Sequence, residues 1–251
     1  SDITISEGDL SGTVSFTPTD DSGDPVYEAN ETAIVAISSV TGLATEDGTQ
    51  SLAITILENE SAPTVTLASS ASSIAENAGS ALTLTATLSG KADEDVTVSI
   101  GTSGTGSEGT DYSAISDITI SAGNTTGTSS FTPTDDSIYE GDETGIVAIT
   151  GVSGADATES GSQVVTLTIT ENESAPTVAL AASASSIAEN AGSSLTLTAT
   201  LSGKTDENVT VSISTSGTGT EGTDYGTISD ITISAGSTTG TASFTPTDDA
   251  S

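Results

Sequence analysis

Hydrophobic positions along this chain alternate with Thr and Ser in short runs, and no segment repeats its apolar residues at a helical spacing. Residues 81–89 are typical, because Leu82, Leu84, Ala86 and Leu88 share one face of an extended chain. Alternation of this kind, bounded by Gly, Ser and Asp, indicates strands that are buried on one side. Between residues 61 and 173 the pattern predicts seven strands, A to G, at 64–68, 81–89, 95–101, 116–121, 127–133, 144–152 and 164–170.

These strands belong to a unit that repeats along the chain. Residues 87–136 and 200–249 align without gaps at an offset of 113 and are identical at 42 of 50 positions. The repetition predicts that residues 1–60 are the C-terminal part of one domain (repeat one), residues 61–173 a complete domain (repeat two) and residues 174–251 the N-terminal two thirds of another (repeat three). Seven short strands in a unit of roughly 110 residues predict an all-β fold of tandem antiparallel, immunoglobulin-like β-sandwiches.

The composition narrows the possible functions. The chain has 36 acidic and 2 basic residues, a formal net charge of −34, and no Cys, His, Trp or Met. Thiol and imidazole catalysis and disulfide bonds are therefore excluded, and two lysines cannot form a basic patch for nucleic acid. Carboxylate pairs act in glycosidases, but those sites normally use aromatic sugar platforms, so we do not expect an enzyme. The apolar runs are too short to insert into a membrane.

The acids of repeat two are unevenly distributed. If successive strands run in opposite directions, the A–B, C–D and E–F loops lie at the same end of the sandwich as the end of strand G. Of the 16 acids in residues 64–173, 10 fall at this end and five, together with Lys91, at the other. We call the first end the acidic pole; its acids are Glu76, Glu108, Asp111, Asp135, Asp136, Glu140, Asp142, Glu143, Glu171 and Glu173.

Two interpretations of the acidic pole remain open. One is a solvated acidic surface. The other is a Ca²⁺ site, because this ion takes about six to eight oxygen ligands from carboxylates and carbonyls. The convergence of loops that are distant in sequence favours calcium, and the lack of His and Cys disfavours zinc.

Three motifs in repeat two resemble a known family. They are Glu-Asn-Ala-Gly at 76–79, Gly-Thr-Asp-Tyr at 109–112 and Asp-Asp-Ser-Ile-Tyr-Glu-Gly-Asp-Glu at 135–143. Their order and sequence resemble the Calx-beta motif of sodium–calcium exchangers and of giant bacterial surface proteins. The resemblance extends over essentially the whole chain. It implies seven-stranded sandwiches, several of which bind Ca²⁺ at the end that corresponds to the acidic pole.

The resemblance also implies a set of calcium ligands. In repeat two these are Glu76, Asp111, Asp135, Asp136, the backbone carbonyl of Ile138, Glu140, Glu143, Glu171 and Glu173. Repeat three offers Glu189, Asp224, Asp248 and Asp249, and repeat one offers Asp20, Asp21, Glu28, Glu31, Glu58 and Glu60. The E–F loop of repeat one is three residues longer than that of repeat two, so Asp24 is a candidate for an extra ligand. Lys204 is expected to face the acidic pole of repeat two across the joint.

Near-identical neighbouring domains without a recognition loop are typical of a spacer. We therefore expect a structural, extracellular module of a long bacterial surface adhesin or filament, stiffened by Ca²⁺ at the acidic pole between domains. The alternative is a calcium-regulated binding or sensor module. The expected partners are the neighbouring repeats and, in a filament, other copies of the chain. An extracellular location at the bacterial surface is expected because weak calcium modules need millimolar Ca²⁺.

Overall fold

The computed structural model describes residues 2–21 and 23–249, which form twenty β-strands and no helix. Repeat one contains β1 (Val26–Tyr27), β2 (Glu31–Ala36) and β3 (Ser51–Ile56). Repeat two contains β4 (Thr64–Ser69), β5 (Ser73–Ala75), β6 (Leu82–Leu88), β7 (Lys91–Ala92), β8 (Val96–Gly104), β9 (Ile118–Ile120), β10 (Thr126–Phe131), β11 (Ile138–Tyr139), β12 (Glu143–Ser153), β13 (Thr158–Glu159) and β14 (Val164–Thr170). Repeat three contains β15 (Val178–Ala182), β16 (Leu195–Leu201), β17 (Lys204–Thr205), β18 (Val209–Val211), β19 (Ile231–Ile233) and β20 (Thr239–Phe244). This part of the chain holds no helix with the length and apolar character needed to cross a membrane.

Repeat two is a sandwich of two sheets, which confirms the predicted all-β fold. One sheet has the strand order β10-β6-β4-β13, and the other has the order β5-β14-β12-β8-β9. In each sheet the central strands pair antiparallel with their neighbours, as expected for an antiparallel sandwich. The alternating apolar positions face inward between the sheets, where the following side chains are buried: Val65, Leu84, Ala86, Val96, Val98, Ile118, Ile120, Phe131, Val147 and Leu167.

The predicted strand at 64–68 lies within β4, and a short strand that was not predicted, β5, follows it in the other sheet. β4 pairs antiparallel with β6, and the chain then crosses to the other sheet, where β5 pairs parallel with β14. The residues at the crossing, 69–73, are four serines and one alanine, which leave room for the turn. This parallel pair aligns Ala75 with Thr170 and brings the residues that follow both strands side by side.

The start of strand D was predicted wrongly. The strand begins at Ile118 rather than at residue 116, so Asp117 lies just before it. The Asp117 carboxylate, rather than a backbone carbonyl of strand D, accepts a hydrogen bond from the backbone N–H of Ile100 at 2.9 Å. Repeat three has the same contact between Asp230 and Ile213, also at 2.9 Å.

Two aromatic rings fill the core close to the acidic pole. The rings of Tyr112 and Phe131 stack with their centroids 4.7 Å apart. Gly145 on β12 lies against them, and a Cβ atom at this position would come within 2.7 Å of Phe131. The rings thus sit directly beside the chain segments that carry Asp111 and Glu143.

Repeats one and three expose apolar faces, whereas the equivalent faces of repeat two are buried in its core. In repeat one, β2 and β3 form a hairpin, and Val35 is 47% exposed although the equivalent Val147 of repeat two is fully buried. The strands that cover Val147 precede it in repeat two and have no counterpart in residues 1–60. In repeat three, β15, β16 and β20 form one sheet and β18 and β19 another, around a small core that includes Ala199 and Ile231.

Short parallel strand pairs join consecutive repeats. β1 of repeat one pairs with β7 of repeat two, and β11 of repeat two pairs with β17 of repeat three. In both joints the E–F loop of the preceding repeat supplies one strand, and the turn after strand B of the following repeat supplies the other. The sequence pattern did not predict these strands, because two residues are too few to show a period.

Candidate metal site at the acidic pole

The strand order places four distant segments at one end of repeat two. The segments are the A–B loop, the C–D loop, the E–F loop and the residues that follow β14. The A–B loop joins the others through the β5–β14 pair, which is extended by a hydrogen bond from the Glu76 N–H to the Thr170 carbonyl at 3.0 Å. Glu76 and Glu171, which are 95 positions apart in the sequence, therefore follow adjacent strands.

One group of carboxylates consists of Glu76, Glu171 and Glu173. Each offers an oxygen atom within 4.8 Å of those of the other two. Glu76 is only 6% exposed, and its Oε1 accepts a hydrogen bond from the Asp136 N–H at 3.1 Å. Burial, together with the nearby charges of Glu171 and Glu173, raises the pKa of Glu76 to about 7. This carboxylate therefore carries its negative charge at a cost in the absence of a cation.

Glu171 has the largest number of hydrogen-bond donors in this group, because four backbone N–H groups donate to its carboxylate. Its Oε2 accepts hydrogen bonds from Glu140 and Gly141 at 2.6 and 2.9 Å, and its Oε1 accepts from Asn172 and Glu173, both at 2.8 Å. Burial alone would raise its pKa, but these donors outweigh that effect and lower the pKa to about 2. Glu171 is therefore a fixed anion that ties the E–F loop to the end of β14.

Glu173 has an unsatisfied oxygen within the same group. Its Oε1 accepts a hydrogen bond from the Asn172 side chain at 3.0 Å, whereas its Oε2 is buried with no hydrogen-bond partner among the described residues. Its interaction with the Glu171 side chain, burial and neighbouring charges raise its pKa. A buried acceptor without a donor carries a desolvation penalty, which a bound cation would remove.

The second group consists of Asp111, Glu140 and Glu143, again with oxygen atoms within 4.8 Å of one another. Asp111 Oδ2 accepts a hydrogen bond from the Ser107 N–H at 2.5 Å, which fixes the turn of the C–D loop. Burial, followed by the charge of Asp111, raises the pKa of both Glu140 and Glu143 to about 7. For Glu143 the next contributor is Asp206, which belongs to repeat three, so charge from the following repeat reaches this group.

The other expected ligands of repeat two lie at the acidic pole but outside the two groups. Asp136 Oδ1 accepts a hydrogen bond from the Ile138 N–H at 2.6 Å, which bends the E–F loop back on itself. Ile138 pairs with Lys204 in the β11–β17 pair. Asp135 is exposed, and its charge contributes to the raised pKa of Glu173.

The flanking repeats do not bring their expected ligands together into a comparable group among the described residues. In repeat one, Asp21 accepts a hydrogen bond from the Val26 N–H at 2.7 Å, and Glu58 accepts one from the Glu28 N–H at 2.5 Å. The remaining candidates of repeat one are Asp20, Glu31 and Glu60, and those of repeat three are Glu189, Asp224, Asp248 and Asp249. Residues 1–60 lack the A–B and C–D loops, and residues 174–251 lack the strands that correspond to β12 and β14.

One expectation about the joints is corrected. Asp24, a candidate for an extra ligand, instead forms an ion pair with Lys91 at 2.7 Å. Lys204 lies at the joint as expected, paired in β17 with Ile138 of the E–F loop, and its exposed side chain forms no ion pair among the described residues. The three-residue insertion in repeat one lets Asp24 reach across its joint, and repeat two has no such insertion.

Asp142 is a structural member of the acidic pole that the ligand assignment missed. Its Oδ1 accepts a hydrogen bond from the Glu171 N–H at 3.0 Å, so Asp142 binds the end of β14. At the same place the Glu171 side chain accepts a hydrogen bond from the Glu140 N–H. The place of Asp142 between Glu140 and Glu143 in the third motif was the signal in the sequence that could have identified it. Its side chain supports the position of a ligand candidate rather than belonging to either group.

The donor set of the acidic pole fits a hard cation. All six members of the two groups are carboxylates, the group around Glu76 is largely shielded from solvent, and Glu173 Oε2 has no donor. Oxygen-only sites of this kind suit Ca²⁺ or Mg²⁺, and a set of flexible carboxylates with nearby carbonyls suits the larger ion better.

This architecture defines a tandem of acidic β-sandwich domains with a carboxylate-rich end. A family model of the Calx-beta domain matches residues 58–173 and again residues 171–249. The matches cover well over half of the chain, which therefore belongs to the Calx-beta domain family.

Solved structures with similar folds include two from Calx proteins. The apo-form Calx CBD1 domain is 18% identical with a TM-score of 0.37, and the alignment covers 43% of this chain and 97% of that one. The calcium binding domain CBD12 of CALX1.1 is 16% identical with a TM-score of 0.36, over 70% of this chain and 73% of that one. Invasin, a bacterial integrin-binding protein, is 15% identical with a TM-score of 0.27, over 92% of this chain and 50% of its own. A search of curated proteins gave no match.

Proposed function

We propose that this chain is an extracellular spacer module of a long bacterial surface adhesin or filament, and that Ca²⁺ at the acidic pole stiffens its joints. The observation that carries the proposal is the position of the two carboxylate groups. They lie at the end of repeat two from which the chain enters repeat three, and they include Glu171 and Glu173 of the linker itself.

Each group has a reason to accept a cation. The pKa values of Glu76, Glu140 and Glu143 are all raised to about 7, so three carboxylates are held near one another against their preference for solvent. When bound, Ca²⁺ supplies two positive charges and takes about six to eight oxygen ligands. Glu76, Glu171 and Glu173 would hold one ion, and Asp111, Glu140 and Glu143 a second.

The expected consequence concerns the linker. Glu171 and Glu173 precede Pro176, so ligation would attach the linker to its own domain within a few residues of the next one. Without a cation, the like charges repel and the end of β14 is held chiefly by the Glu171 hydrogen bonds. The proposed extracellular location would supply the ion, because millimolar Ca²⁺ fills weak sites of this type.

Small-angle X-ray scattering of the 251-residue chain tests the proposal. We expect a longer maximum dimension with a narrower spread in millimolar Ca²⁺ than in EDTA. The variant Glu76→Gln/Glu173→Gln should lose this response, and Asp93→Asn/Glu94→Gln, which removes two charges at the opposite end of repeat two, should retain it. An unchanged scattering profile between EDTA and Ca²⁺ would contradict joint stiffening.

One observation favours a second candidate, a calcium-regulated sensor. The E–F loop carries Glu140 of the second group and also supplies β11, which pairs with β17 of repeat three. Ligation in this loop would therefore be transmitted to the orientation of the next domain. A sensor predicts a saturable change in the angle between repeats at a defined Ca²⁺ concentration, whereas a spacer predicts a narrower distribution about the same angle.

A further inference from the structure

The only two basic residues of the chain occupy the same position in successive repeats. Lys91 begins β7 and Lys204 begins β17, and each of these strands pairs with the E–F loop of the preceding repeat. A chain with 36 acids thus places both of its cations where an acidic loop arrives from the neighbouring domain. Charge complementarity at a docking surface favours the correct partner and orientation.

The first joint has three polar contacts besides its strand pair. Lys91 Nζ donates to both carboxylate oxygens of Asp24, each at 2.7 Å. The Tyr27 hydroxyl donates to Asp156 Oδ2 at 2.7 Å, and the Asp93 N–H donates to the Tyr27 carbonyl at 3.1 Å. The Tyr27 side chain also packs against the hydrophobic core of repeat two. Repeat one is therefore docked through its E–F loop as well as through the linker.

The second joint repeats the backbone pairing without the ion pair. Ile138 and Tyr139 pair with Lys204 and Thr205, and the Asp206 N–H reaches the Tyr139 carbonyl at a longer distance of 3.4 Å. Among the described residues the charged contact is present only at the first joint.

Loop length explains the difference between the joints. The E–F loop of repeat one contains Gly23-Asp24-Pro25 immediately before β1, and the loop of repeat two passes directly from Ser137 to β11. Pro25 fixes its own backbone angle at the start of β1, which limits the conformations that Asp24 can adopt. The insertion therefore presents a carboxylate to the lysine of the following repeat.

We propose that Gly23-Asp24-Pro25 is a latch that docks repeat one onto the lysine-bearing edge of repeat two, making the first joint stiffer than the second without any metal ion. Repeats two and three each present one such edge, and its partner is a preceding repeat whose E–F loop carries the insertion. The exposed ion pair is weak by itself, but the linker keeps the two surfaces together, so a roughly fivefold increase in the docked population is expected. The presence or absence of the insertion would then set the stiffness of individual joints along an array.

Distance measurements between spin labels test the latch, because the chain contains no native Cys. The pair Ala53→Cys/Thr128→Cys reports on the first joint, and Thr166→Cys/Thr241→Cys occupies the equivalent exposed positions across the second. All samples contain EDTA, so the outcome does not depend on calcium binding and can fail independently of the proposed function. We expect a narrower distance distribution at the first joint than at the second.

Matched variants identify the contact responsible. Lys91→Gln should broaden the distance distribution across the first joint, and Lys204→Gln should leave the distribution across the second joint unchanged. The charge exchange Asp24→Lys/Lys91→Asp should restore the narrow distribution across the first joint. Insertion of Gly-Asp-Pro after Ser137 should narrow the distance distribution across the second joint, and insertion of Gly-Asn-Pro, which lacks the carboxylate, should leave it unchanged. Equal widths at the two joints in EDTA, or no response of the first joint to Lys91→Gln, would overturn the proposal.

Discussion

Repeats one and two share a glutamate at the end of strand G but differ in what surrounds it. In repeat two, Glu171 accepts a hydrogen bond from the Glu140 N–H at 2.6 Å. In repeat one, Glu58 accepts the equivalent bond from the Glu28 N–H at 2.5 Å. The attachment of the E–F loop to the strand end is therefore local, because in both repeats it involves only the E–F loop and the end of strand G.

The carboxylate groups, in contrast, need the whole domain. Glu76 reaches Glu171 because β5 pairs with β14, and Asp111 lies close to Glu143 because the C–D loop bridges to the end of strand E at Tyr112 and Pro133. Residues 1–60 contain neither segment. The comparison teaches that one glutamate organises the loop, while segments distant in the sequence must assemble before a cation site exists.

The largest expected effect is the loss of the loop attachment in repeat two. Glu171→Ala removes the acceptor of four backbone N–H groups and should destabilise repeat two by about 3 kcal/mol, because hydrogen bonds to a charged group are stronger than neutral ones. Amide hydrogen exchange in β12 and β14 during denaturant titration measures this loss.

Glu58→Ala is the matched control for that substitution. It removes the equivalent acceptor in repeat one and should change exchange in β12 and β14 by less than about 0.5 kcal/mol. Similar losses of stability in β12 and β14 for the two variants would contradict the conclusion that each glutamate stabilises only its own repeat.

A smaller effect is expected from the core beneath the acidic pole. Gly145→Ala places a Cβ within 2.7 Å of Phe131 and should cost about 2 kcal/mol through overpacking. The equivalent residue of repeat one is already alanine, Ala33, and Phe16, the equivalent of Phe131, is 48% exposed. Thermal unfolding measures the cost, and an unchanged midpoint would show that the Tyr112–Phe131 stack does not constrain this end of the domain.

The smallest expected effect is a pH dependence of stability in EDTA. The pKa values of Glu76, Glu140 and Glu143 are raised from 4.5 to about 7, so the folded state binds protons more tightly than the unfolded state. The resulting stabilisation is complete below about pH 4.5 and is lost as the pH rises through about 7. Glu171, with its pKa lowered to about 2, contributes the opposite trend only below about pH 4.5.

The unfolding midpoint in EDTA should therefore be higher at pH 5.5 than at pH 8. Glu76→Gln should reduce this difference, and Asp93→Asn, at the other end of repeat two, should leave it nearly unchanged. A midpoint that rises with pH over this interval would contradict the raised pKa values at the acidic pole.

Much of the fold follows from local sequence patterns. The strand predicted at 164–170 coincides with β14, because alternation over seven residues defines both its face and its ends. The all-β sandwich and the Calx-beta family are likewise confirmed. The short strands β5, β7, β11 and β17 were missed, since their pairing depends on which segments meet in three dimensions.

The candidate site was also predictable only in part, because its location follows from the order of the loops but its contacts depend on which segments meet in three dimensions. Counting acids by loop identified the end of the sandwich at which the two groups lie, but it could not separate Glu171, whose charge is satisfied by backbone donors, from Glu173, whose Oε2 has none. Nor could it tell that Asp24 would meet Lys91, because that partner lies across a joint. Calcium binding by these residues stays a prediction.

Thermal unfolding of the 251-residue chain and of Glu76→Gln, each in EDTA and in millimolar Ca²⁺ at pH 8, tests the central claim most directly. At 100 times its dissociation constant, Ca²⁺ should stabilise the native chain by roughly 2.7 kcal/mol for one site. Glu76→Gln should unfold at a higher temperature than the native chain in EDTA, because it removes a charge held near other carboxylates, and it should lose the part of the calcium response that comes from the group of Glu76, Glu171 and Glu173. Identical midpoints of the native chain in EDTA and in Ca²⁺ would contradict a calcium site and leave a solvated acidic surface.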